Sequence, residues 1–202
     1  MPHQPRKHVP ALLVIDMQNA TMAIAHRAAE TVAVIAGLRA RARAAGVPVV
    51  LVQDGAADGG MRPGTEGWRI VPELRPEEGE VVVRKDSPDS FLGTGLDGTL
   101  RTLGATEVVV TGFATEICVD TTARQALSHH YDLVLVADGH TTSVRPDRTP
   151  YAPPERSVAH HNEIFRNLRF PGRSVRVLAA ADVDFAAPAT GSGPARPAPA
   201  PA

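Results

Sequence analysis

Apolar residues along this chain fall into short unbroken runs that are separated by longer segments with helical spacing. A short apolar run without polar alternation is typical of a strand that is buried on both faces of a parallel sheet. We therefore predict six parallel strands. They cover residues 11–15, 47–52, 80–84, 108–110, 133–137 and 174–178.

The segments between these runs favour helices. From Glu30 to Ala45, apolar residues stand at Val34, Ile35 and Leu38, and Gly46 supplies a helix end. Further helices are predicted over residues 94–103, 119–127 and 155–168. Strands that alternate with helices indicate βαβ units, so the predicted fold is α/β, a three-layer α/β/α doubly wound sheet with Rossmann-like topology.

The two ends of the chain differ from its middle. Residues 1–9 are polar and interrupted by proline, which predicts a flexible arm, and residues 185–202 form an Ala/Pro-rich stretch that predicts disorder. Residues 10–184 remain for the folded part. A chain of 202 residues is long enough for one α/β domain with a sizeable core and too short for two ordinary ones.

Composition and charge exclude several classes of function. The 21 basic and 22 acidic side chains give a net charge of −1, and the basic residues are scattered singly, which argues against a nucleic-acid partner. No run of 18 apolar residues occurs, so we expect no membrane span. The single cysteine excludes an intramolecular disulfide and fits a reducing compartment, so we expect a cytoplasmic protein.

That cysteine, Cys118, follows the predicted strand 108–110. The strand is closed by Thr111-Gly112, and a helix is predicted to begin at Val119. Cys118 therefore falls at or near a helix N-terminus, where exposed N–H groups favour an anion and would stabilise a thiolate. The alternative is an inert buried side chain, which is the more common fate of a lone cysteine.

Two other reactive side chains also follow predicted strands. Asp16 comes directly after the run 11–15, and Lys85 directly after the run 80–84. Open parallel sheets bind ligands in the crevice outside the carboxyl ends of their strands, so we expect Asp16, Lys85 and Cys118 to converge there. The alternatives are a turn cap for Asp16 and an ordinary solvated side chain for Lys85.

Three motifs carry a resemblance to a known family. They are LLVIDMQN around Asp16, VVVRKDSPDSF around Lys85 and GFATEICV around Cys118. Together they resemble the isochorismatase-like cysteine hydrolases over residues 11–178. The resemblance implies a strand order of 3-2-1-4-5-6, no cofactor, and a homodimer or homotetramer.

The resemblance also implies a catalytic triad of Asp16, Lys85 and Cys118. Asp16 would take the thiol proton of Cys118, and Lys85 would stabilise the thiolate. The N–H groups of Ala114 and Cys118 would form an oxyanion hole. The family further implies a cis peptide bond between Phe113 and Ala114, and a thioester intermediate on Cys118.

The long segment 53–80 is rich in Gly and Pro, which indicates a functional loop over the site. Its tryptophan is equally consistent with a loop anchor and with a wall of the pocket. The candidates for contact with the substrate are Gln18, Asp54, Trp68, Phe91 and Phe113.

The charges of the long loop indicate a class of substrate, and the positions of the histidines indicate whether a metal is expected. Asp54, Asp58 and Glu66 in the long loop suit a cationic substrate. No histidine stands between His26 and His129, so the D-x-H metal motif of nicotinamidases is absent and we expect no metal. True isochorismatases lack the cysteine nucleophile, which disfavours a vinyl-ether substrate.

The segments RPGTEGW, TEICVDTT and AHHN look most similar to the streptothricin-hydrolase type of the family. This resemblance implies an amidohydrolase that opens a lactam or cleaves a carboxamide of a small molecule. One alternative is a hydrolase of carbamoyl or ureido compounds with the same triad. Another is a catalytically silent member that binds a small molecule; the intact triad favours an enzyme.

Overall fold

Six parallel strands form one sheet at the centre of the protein. The structure is a computed structural model, and it describes residues 8–55, 60–145 and 150–186. The sheet order is β3-β2-β1-β4-β5-β6, as the family resemblance implies. The strands are β1 (Pro10–Ile15), β2 (Val49–Asp54), β3 (Val81–Lys85), β4 (Glu107–Phe113), β5 (Asp132–Thr141) and β6 (Val175–Leu178).

Helices cover both faces of this sheet and confirm the three-layer prediction. One face is packed by α2, and the other by α3, α4 and α5. The helices are α1 (Asn19–Met22), α2 (Ala28–Ala44), α3 (Leu96–Thr102), α4 (Asp120–Ser128) and α5 (Pro154–Asn167). Short 3₁₀ turns lie at Pro72–Leu74 and Ala180–Asp182, and a π-helical turn lies at Thr115–Val119. No helix in these three described ranges is long and apolar enough to cross a bilayer.

The central strands are apolar on both faces because both faces are covered. Along β1, Leu13 and Ile15 pack on the side of α3, α4 and α5, whereas Leu12 and Val14 pack on the side of α2. All four side chains are at most 1% exposed. A strand between two helical layers has no solvent side, which explains the unbroken apolar runs in the sequence.

All six predicted strands are confirmed, and two of them are longer than their apolar runs by four residues or more. Strand β4 continues to Phe113, and β5 continues to Thr141. Their pairing is irregular after Val110 and resumes with Gly112 opposite His140. The sequence shows glycine and polar residues in this region, which resemble a turn, although the backbone there still forms a ladder.

The folded part extends slightly beyond its predicted limits at both ends. The N–H of Val9 donates to the Thr106 hydroxyl at 2.9 Å, so this residue of the predicted arm is anchored. Phe185, the first residue of the predicted tail, is 9% exposed and belongs to the core on the α2 side. Val9 therefore belongs to the folded part and not to the predicted arm, and Phe185 belongs to it and not to the predicted tail. The predictions for residues 1–7 and 187–202 lie outside the described residues.

Gly112 allows β4 to approach β1 where the reactive side chains begin. Its φ is +124°, a value that side chains rarely allow. A Cβ atom at this position would lie 2.1 Å from the carbonyl oxygen of Ile15. The absence of a side chain at Gly112 therefore lets the end of β1 lie directly against the turn that follows β4.

Replacing Gly112 with alanine is expected to destabilise the protein by about 3 kcal/mol or more, because the new methyl group meets backbone atoms and the φ is strained. The control is Gly98→Ala in α3, where a Cβ meets nothing within 4 Å. That change should stabilise the protein by about 0.5–1 kcal/mol. Urea unfolding measures both, and a Gly112→Ala protein as stable as the parent would contradict the close approach.

Candidate active site

Three reactive side chains meet at the carboxyl edge of the sheet. Asp16 follows β1, Lys85 ends β3, and Cys118 lies in the π-helical turn after β4. The Lys85 Nζ lies 2.8 Å from Asp16 Oδ2 and 3.4 Å from Cys118 Sγ. Asp16 and Lys85 are each 2% exposed, and Cys118 is 9% exposed. The convergence expected from topology is therefore observed.

Asp54, at the end of β2, completes this charged cluster. Lys85 must reach over the end of β2 to contact Asp16, and its Nζ passes 3.2 Å from Asp54 Oδ2. The ammonium of Lys85 thus contacts two carboxylates and the sulfur. Asp54 had been a candidate for substrate contact; the structure also makes it a direct partner of Lys85.

The same cluster is poorly suited to a metal ion. Ligand atoms of Asp16, Asp54 and Cys118 lie within 4.8 Å of one another, which is a spacing that could hold a cation. The Lys85 ammonium contacts all three of these residues. A metal ion there would have to displace a buried ammonium or sit beside it against charge repulsion.

Burial and mutual charge set the protonation states of the cluster. Burial raises the pKa of Asp16 to about 6, even though Lys85 opposes the shift. Burial lowers the pKa of Lys85, but the negative charge of Asp16 and the other neighbours outweighs it, so the pKa is above its usual value. Burial, with a contribution from Asp16, raises the pKa of Cys118 to about 12.

The resting thiol of Cys118 is therefore neutral, next to an ionised Asp16 and an ionised Lys85. The sequence predicted a thiolate stabilised by a helix N-terminus. That expectation is corrected, because burial of the sulfur outweighs the positive charge of Lys85.

The backbone of Asp16 is held in an uncommon conformation. Its φ is +52°, which is rare for a residue other than glycine. Its N–H donates to the Val52 carbonyl at 2.9 Å, and its carbonyl accepts from the Thr21 hydroxyl at 2.7 Å and from the Gln18 N–H at 2.9 Å. The side-chain Oδ1 is buried and accepts no hydrogen bond from any described residue. Strained backbone of this kind is found at functional sites.

The turn that carries Cys118 has a cis peptide bond between Phe113 and Ala114, as the resemblance implied. The Ala114 carbonyl then accepts from the N–H groups of Ile117 and Val119, at 3.0 and 3.1 Å. The π-helical turn continues directly into α4. Within the described part of the chain, the Ala114 N–H has no hydrogen-bond acceptor, although the residue is 1% exposed.

Comparison with known proteins shows the family to which this chain belongs. The sequence profile of the isochorismatase domain matches residues 10–152, which include the whole charged cluster. This chain belongs to the isochorismatase family. An isochorismatase from Pseudomonas putida KT2440 has the same fold, with a TM-score of 0.78 and 28% sequence identity over 91% of this chain and 94% of that chain.

Two curated relatives from the isochorismatase family illustrate its range. A streptothricin hydrolase of Streptomyces noursei is 42% identical over 138 residues, which are 66% of this chain and 50% of the relative. A ureidoacrylate amidohydrolase of Variovorax paradoxus is 31% identical over 170 residues, 63% of this chain and 67% of the relative. The chain spans about half the length of the streptothricin hydrolases that it matches.

Gln18, a candidate for substrate contact, supports the site from within. Its side chain is fully buried, and Nε2 donates to the carbonyls of Asp54 and Trp68 at 3.0 and 2.9 Å. Its Oε1 accepts from the Asp54 N–H at 3.0 Å. Both amide hydrogens are thus used by the backbone, and Gln18 fixes the positions of Asp54 and Trp68 instead of offering a donor to the substrate.

The aromatic candidates differ in their surroundings. Phe91 is 7% exposed and stacks on His129 with 4.5 Å between ring centroids, so it belongs mainly to the core. Phe113 is half-buried next to the cis bond. Trp68 is half-buried, lies 5.1 Å from the guanidinium of Arg84, and has an Nε1 atom that is buried without a partner among the described residues.

Fewer acidic residues of the long loop lie next to the reactive side chains than the sequence indicated. Glu66 is exposed and forms an ion pair with Arg69 at 2.9 Å. Asp58 lies outside the described residues. Of the acidic residues proposed to attract a cation, Asp54 is the one that the structure brings to the reactive side chains.

A buried polar network next to the turn was not predicted from the sequence. Thr115 Oγ1 lies 2.8 Å from His140 Nδ1, and His140 Nε2 lies 3.0 Å from Asn162 Oδ1. The one available signal was the polar stretch after the run 133–137, which places a histidine near a strand end.

Replacing Lys85 with methionine is expected to destabilise the protein by about 3 kcal/mol at pH 8, because two carboxylates lose their cation while Asp16 stays buried. The pKa of Asp16 in the folded variant should rise above its present value of about 6, since Lys85 lowers it. The loss should therefore shrink at pH 5, where folded Asp16 is protonated.

Urea unfolding at pH 8 and pH 5 measures this dependence. Arg84→Met, which removes an exposed cation from the same strand, is the control and should cost less than about 1 kcal/mol at both pH values. A Lys85→Met loss that is equal at the two pH values would mean that Lys85 does not lower the pKa of Asp16.

Proposed function

We propose that this member of the isochorismatase family is a cysteine hydrolase that cleaves a non-peptide C–N amide bond of a small molecule. The observation that carries the proposal is the contact of one buried ammonium, Lys85, with both Asp16 and Cys118. A base, a cation and a thiol in mutual reach are the parts that acyl transfer requires. Relatives whose names describe a hydrolase and an amidohydrolase support the same class of reaction.

The first half of the reaction acylates the enzyme. Asp16 accepts the thiol proton of Cys118 through its unpartnered Oδ1, and Lys85 stabilises the thiolate that results. The sulfur attacks the amide carbon, and the carbonyl oxygen becomes an oxyanion. The N–H groups of Ala114 and Cys118 bind this oxyanion, and the unused, buried N–H of Ala114 supports that role.

The tetrahedral intermediate collapses when the C–N bond breaks. Asp16 returns its proton to the leaving nitrogen, which becomes an amine that departs from an open-chain amide or stays attached in an opened lactam, and a thioester remains on Cys118. Water then gives a proton to Asp16 and attacks the thioester carbon. A second collapse releases the carboxylic acid, and Cys118 recovers its proton. A carboxyl with a pKa of about 6 can both accept and donate a proton near neutral pH.

A cationic lactam is the substrate class that we favour. The cluster contains two carboxyl groups, those of Asp16 and Asp54, and one ammonium, so acidic groups outnumber basic ones in it. A buried negative site attracts a cationic ligand. The 42% identity to a streptothricin hydrolase makes streptothricin-type lactams the first compounds to test.

A ureido or carbamoyl compound is the second candidate. It is favoured by the 31% identity to a ureidoacrylate amidohydrolase over 67% of that relative. The same steps apply with a thiocarbamate on Cys118 in place of the thioester and a carbamic acid as the released product, because a ureido carbonyl carbon is bonded to nitrogen on both sides. The two candidates differ in the charge and shape of the group next to the scissile bond.

Replacing Cys118 with serine is expected to abolish turnover of streptothricin-type lactams and ureido compounds alike. A serine hydroxyl has a much higher pKa than a thiol, and Asp16 is too weak a base to activate it. Asp16→Asn and Lys85→Ala should each lower kcat by at least about 10²-fold. The amine exposed by lactam opening and the ammonia released from a ureido compound measure turnover, and near-normal turnover by Cys118→Ser would exclude the nucleophile.

Replacing Asp54 with asparagine is expected to raise KM for a cationic lactam by about tenfold and to change KM for a neutral lactam of similar size much less. Comparing the two substrates separates substrate attraction from the effect of Asp54 on Lys85, because that effect applies to both. Glu66→Gln, which removes an exposed and already paired charge, is the control. Equal KM changes for both lactams would refute the charge preference.

A further inference from the structure

The turn that carries Cys118 is anchored by a chain of side chains that the proposed reaction does not use. Thr115 lies three residues before Cys118, and its hydroxyl is 2.8 Å from Nδ1 of His140 at the end of β5. His140 Nε2 lies 3.0 Å from Oδ1 of Asn162 on α5. Thr115, His140 and Asn162 are all buried, at 1%, 3% and 7% exposed.

The hydrogen-bond pattern fixes the direction of this chain. Asn162 donates its Nδ2 to the Ala137 carbonyl at 3.0 Å, so its Oδ1 faces His140 and can only accept. Nε2 of His140 therefore carries the hydrogen. Burial lowers the pKa of His140 to about 4, so the ring is neutral near pH 7 and Nδ1 is an acceptor. Thr115 then donates to it.

The chain joins three elements around the reactive turn. Asn162 is bonded to β5 through Ala137, and His140 links β5 to the turn. The next residue of the turn, Glu116, adds to the same attachment by accepting from the Thr142 hydroxyl at 2.7 Å. The side chain of Cys118 has two polar neighbours, the Lys85 ammonium at 3.4 Å and the Asp16 carboxyl, and both lie outside the turn. The position of its sulfur therefore depends on how firmly the turn is held.

We propose that His140, fixed by Asn162, is a positioning residue that holds Thr115 and thereby keeps the Cys118 sulfur within reach of Lys85 and Asp16. This inference rests on the proposed function only in treating Cys118 as the reactive thiol. A shift of about 1 Å in a reacting atom can lower a rate by about 10²-fold. Loss of the Thr115–His140 bond should therefore displace the sulfur from its buried position and change its reactivity more than the loss of an ordinary buried hydrogen bond elsewhere.

The test uses iodoacetamide as a probe, because its reaction requires no knowledge of the substrate. The thiolate attacks the CH₂ carbon, a C–S bond forms, and iodide leaves. The chain has a single cysteine, so intact mass reports alkylation of Cys118 alone. Rates are measured at pH 8 on the full chain, for the parent and for Thr115→Val, Thr115→Ser and Thr111→Val.

Thr115→Val keeps the side-chain shape and removes the hydroxyl, and alkylation should accelerate at least about fivefold, because the sulfur leaves the buried position that raises the pKa of Cys118. Thr115→Ser restores the hydroxyl and should stay within about twofold of the parent. Thr111→Val is the matched control: it also removes a buried threonine hydroxyl, which donates to the Leu13 carbonyl at 2.8 Å, but from inside β4. It should lose similar stability without faster alkylation.

An unchanged or slower rate for Thr115→Val would overturn the inference, as would an equal acceleration in Thr111→Val. If Thr115→Val does not fold, His140→Asn provides the test, since it shortens the acceptor and breaks the link to Asn162; a parent-like rate there also overturns it. Activity of Cys118→Ser would refute the proposed function separately. A silent Cys118→Ser variant together with a parent-like alkylation rate in Thr115→Val would refute only the positioning role.

Discussion

The active edge of this protein depends on one buried ammonium. Lys85 lies among Asp16, Asp54 and Cys118, and without it the buried carboxylate of Asp16 would have no cation beside it among these groups. The strand order places the ends of β1 and β2 between β3 and β4, so the lysine must extend across two strands to contact the sulfur. The close approach of β1 and β4 at Gly112 shortens that distance. The geometry of the cluster thus depends together on the strand order, on the position of Gly112 and on the ion pairs of Lys85.

The electrostatics of the cluster keep the thiol of Cys118 neutral until its proton is transferred to Asp16. Burial makes the neutral form of Cys118 the resting form, while Asp16 holds a negative charge next to it. A neutral thiol reacts slowly with oxidants, because oxidation proceeds through the thiolate. Proton transfer to Asp16 creates the nucleophile, so the reactive species forms where a carbonyl group is present to receive it. The same cysteine can in this way resist oxidation at rest and act as the nucleophile during the reaction.

Much of the fold and of the site could be predicted from the sequence. The apolar runs identify six buried strands, and the strand ends identify Asp16, Lys85 and Cys118, because topology brings such ends together. The sequence could not show that β4 and β5 extend past their glycines, since ladder pairing there depends on contacts between distant segments. It therefore also missed the Thr115–His140 bond, which needs the full length of β5. The pKa of Cys118 depends on how deeply the sulfur is buried, and local pattern does not report that depth.

The side-chain amide of Gln18 has a consequence for the loop that follows β2. Its Nε2 donates hydrogen bonds to the carbonyls of both Asp54 and Trp68. The side chain of Gln53 donates a second hydrogen bond to the Trp68 carbonyl at 2.9 Å. The two ends of this loop, at Asp54 and Trp68, are therefore held by the side chains of Gln18 and Gln53. Substitutions or insertions in this stretch can reshape the wall of the pocket while the charged cluster keeps its geometry. Substrate range and chemistry can thus evolve as separate traits on this scaffold.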